Sequence, residues 1–284
     1  MPFTPSHAIV ALPFIRTPLA PAAVAVGAMA PDLPLFLRVP GIDYGWTHDP
    51  RWLPVTVVLA AALLLLWRCI LRPAARDLMP AFIARRLPAG WDAGASAAAR
   101  ETFARRGAAK ASAGGILLLI AALAIGVATH LAWDAFSHEG RLGVALVPAL
   151  DAAWGPMPGF KWIQHGSSVA GLLVLAVWAV LWWRRTPSGA LHRVTPGWMP
   201  WVWLVALPVT LAAAWVFGLA AFGPLTPAFT VAHLAYRVLP PACAVWGAAT
   251  VLSAIGVQLR RRRAARSVSG GATPPDRVPT DGAR

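Results

Sequence analysis

Five apolar runs, each close to the length that crosses a bilayer, constrain this chain more than any other feature. They lie at about 53–71, 113–136, 167–183, 200–222 and 231–258. A helix rising about 1.5 Å per residue needs about 20 apolar residues to cross the hydrocarbon core. The first run, LPVTVVLAAALLLLWRCIL, meets no charge before Arg68, and the second stays apolar up to His130. The third closes on Trp182-Trp183 and Arg184-Arg185, an interfacial end. Backbone in lipid must satisfy its own hydrogen bonds, so each run is a helix. The expected fold is all-α, a polytopic transmembrane bundle of about five spans. Pro240-Pro241, near the start of the last run, predicts a kink or a late helix start there. Composition agrees: 58% of the 284 residues are hydrophobic and 13% charged, against about 25% charged in soluble domains. Residues 1–259 read as one integral membrane domain, and 260–284 as a basic cytoplasmic tail, Pro-, Gly- and Ser-rich and expected to be disordered from 264.

The net charge of +14 would suggest nucleic acid in a soluble chain. Here the arginines are gathered between spans, which excludes that reading in favour of orientation signals and contact with anionic lipid. Segment 68–110 carries nine Lys/Arg against Asp77, Asp92 and Glu101. Segment 184–199 carries Arg184, Arg185 and Arg193, and the tail carries Arg260 to Arg263 and Arg266. The intervening 137–166 is nearly balanced, and 223–236 has no charge. The alternation predicts that 72–110, 184–199 and the C-terminus face the cytoplasm. Stretches 31–52, 137–166 and 223–230 then face outward. Segment 93–110 is expected to form a helix lying on anionic lipid. Cys69 and Cys243 lie in apolar runs without metal spacing and read as buried, inert thiols. The N-terminus is expected to be retained: no positive residue precedes Arg16, and Pro13, Pro18 and Pro21 break the apolar stretch.

Residues 5–30 are apolar and long enough to span, but a single span would put Arg16 near mid-bilayer, at a cost of a few kcal/mol. Two short helices, about 5–16 and 20–30, joined by a Pro turn, fit better. Such a re-entrant hairpin returns Asp32 to the side of His7; a single kinked span, with His7 inside, is the alternative.

The residues with chemistry gather at the outer ends of the spans. His130, Asp134 and His138 recur every four residues and share one helix face. Ionisable groups inside an apolar span default to a functional reading. Topology brings Asp32 and His48 to the same side, and His7 with them in the hairpin. Imidazoles and carboxylates are ligands for Zn²⁺ or a similar divalent ion. Two of each leave a place for water, whose pKa a metal lowers toward about 7. The patch GFKWIQHGSS, Gly159–Ser168, also stands out, and Glu139 is solvated or a proton shuttle. No phosphate loop, nucleophile elbow or Cys-x-x-Cys pair occurs.

Four segments together resemble a known family. They are Met1-Pro2-Phe3-Thr4-Pro5-Ser6-His7, Gly27-x-x-Ala30-Pro31-Asp32, Thr129-His130-x-x-Trp133-Asp134-x-x-Ser137-His138-Glu139-Gly140 and Gly166-Ser167-Ser168-x-x-Gly171. Over about residues 1–240 the chain is similar to an uncharacterised bacterial membrane family, domain of unknown function 4184. That family is similar in layout to a broader group labelled metal-dependent inner-membrane hydrolases. The resemblance implies that His7, Asp32, His48, His130 and Asp134 are the analogous ligand positions. In the broader group another His precedes the Thr-His pair; here the segment is Gly45-Trp46-Thr47-His48-Asp49.

The expected function is a bacterial inner-membrane, metal-dependent hydrolase of an ester or phosphoester in a lipid-type substrate, with its site at the outer face. His7, Asp32, His48, His130 and Asp134 are the candidate ligands, zinc the candidate metal, and His138 or Glu139 the acid/base group. The alternative is a non-enzymatic membrane protein whose His/Asp cluster packs helices together. A transporter fits less well, because runs 167–183 and 200–222 offer no polar wall.

Overall fold

The computed structural model describes residues 3–37, 42–108 and 110–270. It contains five helices long and apolar enough to cross a membrane, here spans 1 to 5: Pro50–Leu78, Ala113–Ser137, Gly159–Arg185, Met199–Phe222 and Val231–Arg266. The all-α bundle expected from hydropathy is what the chain forms. Among the described residues the only strands are a two-residue pair, Ala153–Trp154 against Met157–Pro158. The outer faces are apolar: Phe217 is 73% and Leu252 70% exposed. Side chains this apolar, turned outward over so wide a surface, call for lipid around them.

The boundaries depart from the apolar runs in instructive places. Span 3 begins at Gly159, so GFKWIQHGSS forms its first turns; Phe160 and Gln164, one turn apart, are both buried and give the segment an inward stripe. The last helix starts at Val231 with Pro240-Pro241 inside it, so no late start occurs, and it continues to Gly270. Residues 264–270 are therefore helical rather than disordered, while 271–284 lie outside the described residues. Arg261 anchors this extension, donating to Pro73 O at 2.7 Å and pairing with Asp77. Both cysteines are free and half-buried rather than buried.

Span 1 contains a wide π-helical turn, Leu66–Leu71, and the cause is Pro73. Proline has no N–H for the carbonyl four residues back, that of Cys69. Gln258 of span 5 supplies the missing donor, its Nε2 lying 3.1 Å from Cys69 O and 3.0 Å from Ile70 O. A backbone defect in span 1 thus becomes the docking point of span 5.

The N-terminal segment is a hairpin, which excludes the single kinked span. Its first arm, Thr4–Arg16, is a 3-10 helix, and its second runs from Pro21 to Phe36. Thr4 Oγ1 donates to Asp32 Oδ2 at 2.6 Å, joining the open ends of the arms. At about 2.0 Å per residue the first arm is about 26 Å long, close to the thickness of a bilayer core. The tip accordingly reaches the end of the bundle that carries the basic loops, where Arg106 Nη1 donates to Ile15 O at 2.6 Å and Thr17 O at 3.0 Å. Arg16 is exposed at that tip, which resolves its apparent conflict with an apolar segment. The second arm packs on span 2 where two glycines cross: a Cβ on Gly27 would lie 2.4 Å from Leu123 O, and one on Gly126 2.3 Å from Val24 O.

The basic end is tied together by its own charges. Arg68 and Arg72 pair with Glu101 at 2.8 and 2.6 Å. The hydrogen bond from Arg72, reinforced by the charge of Arg68, holds Glu101 below the usual carboxylate range. The surface helix is confined to Ala95–Phe103, within the longer 93–110 expected, and Glu101 turns it toward the bundle. Fully buried Asp77 accepts from Val194 N, Thr195 N and Thr195 Oγ1 at 2.9, 3.2 and 3.0 Å. Because the hairpin tip lies beside Arg106, a cysteine at Pro18 should react with an impermeant thiol reagent from the same side as one at Lys110. A cysteine at Gly155 should react only from the opposite side. Labelling of Pro18→Cys from the Gly155 side would refute the hairpin.

Candidate metal centre

Span 2 places His130 and Asp134 one turn apart on its inward face, while Trp133 between them is 43% exposed. Within the second arm the 3-10 turn Ala30–Asp32 aims Asp32 at that face. The short helix Tyr44–Thr47 delivers His48, and Thr47 Oγ1 pins the loop by donating to Pro31 O at 2.7 Å. The first arm contributes His7, whose ring stacks on that of His130 with centroids 4.2 Å apart. All five side chains are buried, none more than 6% exposed. The hairpin, the loop after it and span 2 therefore meet at five residues spread over more than a hundred positions of sequence.

The proton positions decide what this cluster can do. His48 Nδ1 lies 2.9 Å from Tyr44 O, and His130 Nδ1 lies 2.7 Å from Ala28 O. A carbonyl only accepts, so each Nδ1 carries a proton, and in the neutral form each ring presents a bare lone pair from Nε2. Those two Nε2 atoms are 3.1 Å apart. Two lone pairs at that distance repel unless a cation lies between them. Around them stand Asp32 Oδ1, 3.6 Å from His48 and 3.7 Å from His130, and Asp134 Oδ2, 3.4 Å from each. A tetrahedral ion with bonds of about 2.0–2.1 Å separates its ligands by about 3.3–3.4 Å. The five separations, 3.1 to 3.7 Å, bracket that edge.

Charge leads the same way. Asp32 and Asp134 bring two negative charges into an apolar interior, which a divalent ion would neutralise. His7 Nε2, Asp32 Oδ1 and Asp134 Oδ1 are buried with no hydrogen-bond partner. Without a metal, a proton on His48 is the available cation. Burial opposes it, but the hydrogen bonds and charges of Asp134 and Asp32 outweigh burial and raise the His48 pKa above the ordinary histidine value. One proton balances only half the negative charge. The buried groups can thus hold a metal ion, in two overlapping sets: His7, His130 and Asp134, and Asp32, His48 and His130.

A second tier of residues orients the first. Thr4 Oγ1 occupies Asp32 Oδ2 and so leaves Oδ1 for the cluster. Tyr44 stacks on His48 at 3.7 Å; burial raises its phenol above the usual value, and the Asp134 and Asp32 carboxylates add to that. Gln164 Nε2 donates to His138 Nε2 at 3.1 Å, which leaves the His138 proton on Nδ1, 3.6 Å from Asp134 Oδ2. Burial lowers the His138 pKa, keeping the ring neutral. Glu139 is exposed in the following turn, without a side-chain hydrogen bond or ion pair among the described residues. His165 is also exposed, and the His233 ring bonds Thr230 at 3.1 Å, away from the cluster. The Thr-Pro-Ser-His run was the available signal for Thr4 and the patch Gly159–Ser168 for Gln164, while nothing local marks Tyr44. Thr4→Val should keep the fold yet weaken metal affinity about 10–100-fold, as loss of second-sphere partners does. Titration of metal-free protein with Zn²⁺ beside native protein checks this, and equal affinity would refute the orienting role.

Beside the cluster lies a cavity of about 590 Å³ between the first arm, span 2 and span 3, and His7 forms part of its wall.

The chain belongs to the family described as a domain of unknown function (DUF4184), whose sequence model matches residues 1–258. Neither a curated protein nor a solved structure matches it.

Proposed function

We propose that this member of the DUF4184 family is a membrane-embedded divalent-metal enzyme that hydrolyses an ester or phosphoester. One observation carries the reading: two histidine lone pairs, each fixed by a backbone carbonyl behind it, face each other at 3.1 Å between two buried carboxylates. Asp32, His48, His130 and Asp134 are the four inner donors, and zinc suits a tetrahedral set of nitrogen and oxygen. His7, with Nε2 3.8 Å from Asp134 Oδ1, is the outermost donor, whose place a water can take. A divalent ion bound there would supply Lewis acidity and lower the pKa of that water toward about 7. In the reaction a water oxygen bonds to the carbonyl carbon or phosphorus. The ester bond to the leaving oxygen breaks, that oxygen takes a proton, and an acid and an alcohol result. His138, held by Gln164 behind Asp134, serves as the positioning residue and proton relay. By the positive-inside rule the site faces outward from the inner membrane and the C-terminus is cytoplasmic. Exposed Arg100, Arg105 and Lys110 are then free to meet anionic lipid.

The test is hydrolysis of two soluble probes, bis(p-nitrophenyl) phosphate and p-nitrophenyl acetate, by purified protein. The expected result is turnover of at least one, abolished by a chelator and restored by Zn²⁺. Turnover untouched by metal removal, or none with the metal present, would overturn the reading. The second reading, a protonated His/Asp network that packs helices, is favoured by the raised pKa of His48. It predicts no bound metal and a thermal stability indifferent to chelator.

A further inference from the structure

The cavity beside the cluster is apolar where it faces the bilayer and polar where it meets His7. Its walls come from Ile9 and Val10 on the first arm, Ala132 and Phe136 on span 2 and Ala170 on span 3. At about 590 Å³ it falls within the range of about 300–1,000 Å³ common for small-molecule sites. Of its own walls, Trp133 is 43% and Phe136 42% exposed, so hydrocarbon is the medium from which anything enters. At its inner end His7 Nε2 has no hydrogen-bond partner and looks toward Asp134 Oδ1, equally unpartnered. Near His138, at the same end of the bundle, stand two cations. The Arg141 side chain forms no hydrogen bond or ion pair among the described residues. Lys161 Nζ is held by Gln164 Oε1 at 3.3 Å and lies over the Phe160 ring. The hydrocarbon groove adjoins the cluster through His7, and the two cations adjoin it through His138 and Gln164.

We propose that the groove takes an acyl chain of an anionic glycerophospholipid, which enters sideways from the bilayer and brings its headgroup ester to the cluster. The substrate assignment rests on the metal-enzyme reading, while the binding of the chain does not. A neutral or water-soluble ester would leave the groove or the two cations without a use. An anionic phospholipid fills the groove with its chain, sets the ester linkage at the cluster and faces its phosphate to Arg141 and Lys161.

The experiment uses full-length protein in phosphatidylglycerol vesicles containing a trace of phosphatidylglycerol with a diazirine on its acyl chain. After irradiation, adducts are mapped by peptide mass spectrometry. Val10 and Phe136 should label several-fold more than Phe217, which faces lipid on span 4. Ala170→Trp, which fills the groove, should remove that excess and leave Phe217 labelling and metal content unchanged. Should that variant fail to fold, excess unlabelled lysophosphatidylglycerol should compete the groove adducts of native protein selectively. Groove labelling no higher than that of Phe217, or unmoved by filling and by competition, would overturn the proposal. Arg141→Ala should reduce labelling by the phosphatidylglycerol probe but not by a diacylglycerol with the same chain. Equal effects on both lipids would overturn the anionic headgroup. The two readings fail separately. Groove labelling together with no metal-dependent turnover of the soluble probes sinks the enzyme reading alone, whereas metal-dependent turnover of those probes without groove labelling sinks this one alone.

Discussion

Native protein should purify with a divalent ion that Asp134→Ala protein lacks, while His7→Ala should keep most of it and lose turnover. Asp134 Oδ2 is 3.4 Å from both facing imidazole nitrogens, so its carboxylate is a full edge-sharing member of the inner set. Removing it leaves one acid against two imidazoles. The loss of affinity should exceed the ~10–100-fold typical of second-sphere partners. His7 stands further out, at 3.8 Å from the other oxygen of Asp134, and its loss opens the set without dismantling it. Metal analysis of dialysed native, Asp134→Ala and His7→Ala protein decides the matter. Equal content in native and Asp134→Ala would sink the metal centre, and loss of the ion in both variants would make His7 an inner ligand instead.

Gly126→Ala should cost about 2–3 kcal/mol of stability, at the upper end of what overpacking does in a tight core. The added Cβ would stand 2.3 Å from Val24 O and 2.7 Å from Ala28 N, backbone atoms that cannot rotate away. Close approach of helix backbones at small residues is a main source of packing in lipid. This contact also positions chemistry. Gly126 precedes His130 by one turn, and Ala28 supplies the carbonyl that sets the His130 tautomer. Forcing the helices apart should therefore lower metal content along with the melting temperature. Gly247→Ala is the control, since a Cβ there meets nothing within 4 Å. Equal thermal stability of the two variants in detergent would show that the glycine crossing is not tight.

Legibility in the sequence varied by residue and for physical reasons. His130 and Asp134 were readable together because both lie on one helix and the 3.6-residue period is local. Asp32 and His48 were readable only as being on the same side, because loop charges report side and not distance. His7 depended on the hairpin, and the hairpin on Arg16, whose charge excludes mid-bilayer but does not say how far the arms extend. The arms proved long enough to carry Arg16 through to the basic end, where Arg106 holds the tip. Gln258 was invisible as a partner of Cys69 because its role arises from Pro73, on a helix nearly two hundred residues away in sequence.

By itself the sequence determined the number of long spans, their approximate limits and the expected sidedness. Transfer of a segment from water to lipid is a sum over its own residues, so no other part of the chain need be known. The tertiary structure alone decided that five distant side chains share one buried point, and with which atoms. Ring tautomers are set by whichever carbonyl stands behind the ring. For His130 that carbonyl belongs to Ala28, brought there by a glycine crossing between two helices far apart in sequence. No local property of either segment encodes that contact.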